Sequence, residues 1–161
     1  MTITGSANNH AFFGTSGPYT IKTAGLTLDF PIQFSGFGGT FAFDDALTQG
    51  STRNFSLGNN VTVKLKAGVT STVGNFVTSG STQKFLQSTT PSSQATLSQA
   101  SGTVNVSYLT IQDINATGGA IWYSPIDQLN VDAGNNDGWD FFVQLGQYMY
   151  TRRKNKRLFI S

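Results

Sequence analysis

The chain has 161 residues, room for one domain, and draws almost half of them from Ser, Thr, Gly, Asn and Gln. With no Glu, 11% charged residues and 12% aromatic ones, the composition excludes a helical bundle and a solvating disordered chain, and favours strands. The net charge of +2 is unevenly spread: Arg152, Arg153, Lys154, Lys156 and Arg157 are half of the ten basic residues, so the remainder is acidic and the pI near 9.0 describes a tail, not a nucleic-acid-binding face.

Residues 1–50 read as Gly- and Phe-rich strands with an N-terminal arm. The arm has no basic stretch followed by an apolar run, and nowhere do apolar residues run long enough to span a bilayer. Neither a signal peptide nor a membrane contact is therefore expected, and synthesis in a cytoplasm is. Tyr19-Thr-Ile21 and Leu26-Thr-Leu28-Asp-Phe30 alternate apolar and polar residues, as half-buried strands do. Pro31 marks a strand start or an edge, and the glycines between Phe34 and Phe43 mark bends or close backbone approach. Asp44-Asp45 or Gln49-Gly50-Ser51 supplies a turn.

Residues 51–150 form a β-rich body. Val61-Thr-Val63-Lys-Leu65 is its cleanest alternating strand. Short strands are predicted around Phe55–Leu57, Asn75–Val77, Lys84–Leu86, Ala95–Leu97, Thr103–Val106 and Tyr108–Ile111, and one more over Phe142–Tyr150, with polar turns between. An offset of 21 residues pairs Leu65 with Leu86, Phe76 with Leu97 and Thr82 with Thr103. A period of about 20–25 residues holding several very short strands is what one coil of a parallel β-helix needs. A sandwich of closely spaced strands has similar spacing. The expected fold class is all-β with short stacked strands, parallel β-helix-like or a compact β-sandwich, in a single domain. Residues 151–161 are a basic C-terminal tail that closes on Leu158-Phe159-Ile160.

The residues that carry chemistry elsewhere are poorly arranged here. With no Cys there is no disulfide framework and no thiolate metal site. His10 is the only histidine and reads as an exposed or interfacial polar residue. Glycoside cleavage needs carboxyls about 5–10 Å apart across the scissile bond. Asp44 and Asp45 are adjacent, so on a strand they point to opposite faces, and a turn is the better reading. The loop Asp132–Gly138 departs from a calcium loop, with Ala133 where the first Asp belongs and Gln144 where the Glu belongs, and reads as an Asx-rich turn. No catalytic residue, cofactor or metal site is expected, and the chain is not expected to be an enzyme. The basic run is read first as a docking element for an acidic patch of a partner, next as a solvated tail, and last as a nucleic-acid contact.

One long stretch carries a family likeness. Thr90-Pro-Ser-Ser-Gln-Ala-Thr-Leu-Ser-Gln-Ala-Ser-Gly-Thr103, Val106-Ser-Tyr-Leu-Thr-Ile-Gln-Asp113, Asn115-Ala-Thr-Gly-Gly-Ala-Ile-Trp-Tyr123 and Asp132-Ala-Gly-Asn-Asn-Asp-Gly-Trp139 resemble a segment of tailed-bacteriophage virion structural proteins. There a β-helix-like run ends in an ATGG…WY and a DGGNNTGW-type motif; the present ending differs at two positions. The resemblance covers a little over half the chain, from about residue 57 to 142. It implies a non-enzymatic virion protein that works through subunit contacts. A capsid decoration (cement) protein is the first expectation. A small tail, baseplate or fibre subunit, or a receptor- or glycan-binding module using Trp122, Tyr123 and Trp139, is the alternative. The implied partners are the major capsid or tail proteins of the same virion and further copies of the chain, with a trimer as the family-implied state. Phe12 and Phe13, with Arg152, Arg153, Lys154, Lys156 and Arg157, are the expected partner-binding residues.

Overall fold

The computed structural model describes residues 10–13, 17–35, 38–145 and 148–151, with side chains described for 17–35 and 38–143. The chain winds as a three-faced solenoid of parallel strands. β1 (His10–Phe13) is the first rung of one face. Successive coils then run through β2 (Tyr19–Ile21), β3 (Thr27–Leu28) and β4 (Ile32–Ser35), and through β5 (Gly39–Phe43), β6 (Thr48–Gln49) and β7 (Asn54–Leu57). The third and fourth coils hold β8 (Val61–Leu65), β9 (Thr70–Val73) and β10 (Asn75–Thr78), then β11 (Lys84–Ser88), β12 (Ala95–Gln99) and β13 (Thr103–Asn105). The fifth holds β14 (Leu109–Gln112), β15 (Ile114–Gly118) and β16 (Ile121–Tyr123). The last consists of a 3-10 turn (Ile126–Gln128), β17 (Val131–Asp132), a single parallel bridge from Asn115 to Asp137, and β18 (Trp139–Asp140).

The first face stacks β2, β5, β8, β11, β14 and β17. The second stacks β3, β6, β9, β12 and β15. The third stacks β1, β4, β7 and β10, and its line is taken up by β13, β16 and β18. Every pairing within these stacks is parallel, which settles the choice between helix and sandwich. The stack runs across residue 50 without a break, since Ile32 pairs with Phe55 and Phe55 with Phe76.

Alternation explains the strands. In β5, β8, β11 and β12 every second residue is buried and those between are half-buried. The inward residues form one continuous core from Ile21 to Trp122. An aromatic column runs up the third face: Phe34 meets Phe55 at 5.5 Å between ring centroids, Phe55 meets Phe76 at 6.1 Å, and Phe76 meets Trp122 at 6.3 Å.

The 21-residue offset is only locally correct. It holds where β7 lies on β10, with Asn54 opposite Asn75, where β3 lies on β6, with Thr27 opposite Thr48, and where β14 lies on β17, with Thr110 opposite Val131. Elsewhere the corners differ in length: Leu65 lies opposite Ser88 and Val63 opposite Leu86, while Phe76 and Leu97 belong to different faces. The segment predicted as one strand over Phe142–Tyr150 is instead an antiparallel hairpin of β19 (Phe142–Leu145) and β20 (Tyr148–Thr151). It lies against the 3-10 turn of the last coil.

Candidate functional site

A solenoid of this kind offers three lateral faces, three lines of corners and two ends. The corners are occupied by internal structure. Where the first face turns into the second, the Asp45 carboxylate accepts the Thr23 N–H at 2.9 Å and the Ala24 N–H at 2.6 Å. Burial raises its pKa; the hydrogen bonds from Thr23 and Ala24, together with the Lys22 charge, outweigh that and leave it below the usual 3.8. Asp44 pairs with Lys66 at 3.4 Å. Higher on the same line, buried Asp113 accepts the Ser92 N–H at 3.1 Å and an Asn135 Nδ2 hydrogen at 2.7 Å.

The Asp132–Gly138 loop closes this line as an Asx turn. Asp132 Oδ1 accepts from Gly134 N and Asn136 Nδ2, and Asn136 Oδ1 in turn accepts the Ile114 N–H at 2.9 Å. Each of these bonds uses one side-chain oxygen of its residue, and Asp137 likewise accepts through Oδ2 from Gln94 at 2.8 Å.

At the corner from the second face to the third, buried glutamines do the same work. Gln49 donates to Phe30 O and Asn54 O, each at 3.0 Å, and Gln99 accepts the Phe76 N–H at 2.8 Å. At the third corner stand Lys84 and Asn130, both buried. Lys84 Nζ donates to Thr82 O at 3.0 Å and to Ser107 O at 3.3 Å, and lies 5.4 Å from the Tyr108 ring centroid. No carboxylate faces it among the described residues, and burial pushes its pKa down. Asn130 accepts the Leu109 N–H and donates to Val106 O and Pro125 O. These groups satisfy the backbone polar atoms that a corner would otherwise leave unpaired.

The aromatic candidates divide. Trp122 is buried, with its indole N–H donated to Thr117 O at 3.1 Å. Trp139 packs edge-on against it at 5.0 Å and is half-buried, and Tyr123 packs on Phe142 at 5.5 Å. Trp122 is therefore a core residue.

The ends remain. At the first, β1 is the outermost strand of its face, with Phe12 paired to Phe34 and Phe13 to Ser35 through the backbone. His10 begins the same strand, opposite Ile32. At the other end β17 and β18 are the outermost strands of their faces, and the hairpin leads the chain out at Thr151, opposite Phe142. Arg152, Arg153, Lys154, Lys156 and Arg157 lie outside the described residues.

The last coil carries features that sequence reading missed. Ile126, Leu129, Val131 and Val143 are exposed there. Asp127, Asp132, Asp137 and Asp140 are distributed over its turn and its three faces, and none meets a cation among the described residues. The available signal was the run from Phe85 to Thr151, which holds five Asp and no Lys or Arg. No protein-family model, curated protein or solved structure matches the chain.

Proposed function

We propose that this chain is a non-enzymatic structural subunit of a tailed-bacteriophage virion, acting as a capsid decoration protein that holds neighbouring subunits together. The reading rests on the resemblance of residues 57–142 to such proteins. The structural observation that favours it is the separation of the two candidate attachment segments: Phe12 and Phe13 on the outermost strand at one end, and the chain leaving for its basic tail at the other. A rigid stack with a sticky segment at each end bridges two neighbours. Unpaired strand edges at the ends also call for a partner or a cap. The major capsid protein and further copies of the chain are the partners this reading names, with a trimer as the expected assembly.

Imaging purified virions with the chain labelled tests the proposal. Density on the head at capsid symmetry is the expected result. Density confined to the tail replaces decoration by a tail or baseplate role, and absence from particles removes the virion reading. Sugar stacking on Trp122 has no support, because the ring is buried.

A further inference from the structure

The geometry points to the last coil as the docking surface for this chain's own residues 152–160, folded back on the end of the stack. The inference does not depend on the virion reading, and its test uses the purified protein alone.

Four observations converge on it. First, charge is polarised along the stack. The chain up to Lys84 holds five basic residues against three Asp, and the two ion pairs among the described residues, Arg53 with Asp29 at 2.9 Å and Lys66 with Asp44, lie there. From Phe85 to Thr151 there are only carboxylates. Four of those five belong to the last coil, and the five cations that follow are opposite to them in sign.

Second, the same coil exposes Ile126, Leu129 and Val131 in sequence, with Val143 on the strand that lies against its turn. The segment that would cover them ends in Leu158-Phe159-Ile160. Acidic and apolar features thus occur together on the coil, and basic and apolar ones on the segment. Solenoid ends require a cap that hides apolar side chains and strand edges. Third, the Trp139 indole N–H is buried on the last rung of its face with no acceptor among the described residues.

Fourth, the tether is short. Thr151 lies opposite Phe142, two residues from Asp140. The six residues from Arg152 to Arg157 extend at most about 20 Å, and neighbouring rungs are about 4.8 Å apart. All five cations therefore start within reach of the coil, and a short tether keeps their local concentration high. This favours docking within one chain over docking on another copy.

Zero-length carbodiimide coupling of the full-length monomer, read by peptide mass spectrometry, tests the inference. The expected products join Lys154 or Lys156 to Asp127, Asp132, Asp137 or Asp140 within one chain. Their yield should fall severalfold at about 1 M salt, where the screening length shrinks to about 3 Å. A chain truncated after Thr151 should show amide exchange about tenfold faster over Ile126–Asp132, with β8 unchanged as the control for folding. Absence of these cross-links, cross-links only between isotopically labelled and unlabelled copies, or unchanged exchange on truncation each overturns the proposal.

Discussion

Lys84 is the residue whose burial a sequence cannot announce. It opens a strand in which Lys84, Leu86 and Ser88 point inward, so its stem is part of the core and its ammonium is held by two carbonyls. In the unfolded chain the amine titrates near its ordinary 10.5; folded, it releases its proton at lower pH. Between those values the unfolded state binds more protons, so stability rises with pH across that window, and below it the full cost of a desolvated charge is present. Urea unfolding from pH 7 to 10.5 should show wild type gaining stability relative to Lys84→Met, which keeps the stem and lacks the charge. Parallel curves would show that the charge is not desolvated. Lys84→Ala adds a cavity and two unpaired carbonyls, and should cost about 2–4 kcal/mol.

At the scale of the element, legibility followed the inward residue. β8 was evident because Val61, Val63 and Leu65 are all apolar. β9 was missed because its inward pair is Ser71 and Val73, and the Ser71 hydroxyl is there to accept the Leu47 N–H at 3.2 Å. β6 was hidden in the same way by inward Gln49. The hairpin was read as one strand because the only break between its two apolar stretches is Gly146-Gln147, a weaker turn signal than Asn-Gly or Asp-Gly. The apolar residues of the last turn were left out of the candidate site because nothing in their spacing separates an exposed Ile126 from a buried one.

The glycine of the ATGG motif was legible as a motif and opaque in its purpose. Gly118 ends β15 with φ +92°, and a Cβ there would overlap Gln99 O on the rung below. Gly138 repeats the arrangement one coil on, against Ala116 O. Gly118→Ala should therefore cost about 1–3 kcal/mol, and thermal melts should show it, with exchange loosened first over β15 and β16. An unchanged midpoint would mean that the rung slides at little cost.

For the whole molecule, parallel pairing makes each coil depend chiefly on the two beside it. Amide exchange should then be slowest in the middle coils, around β8 and β11, where rungs are stacked on both sides, and faster toward β2 and β17. Uniform protection from β2 to β17 would indicate a single cooperative unit instead. The general architecture was readable from composition and period. The exact stacking was not, because corners of unequal length shift each register and no rule of spacing fixes them.

The corner ladders of carboxamides, hydroxyls and peptide groups have an environmental consequence. Among the described residues only two ion pairs cross-link the body, both near its surface, and no thiol exists to be oxidised or reduced. Brine, dilute freshwater and redox swings thus find little to act on, and mildly acidic or alkaline surroundings meet few groups that change charge. Such a scaffold keeps its shape across media that would loosen one fastened by surface charge.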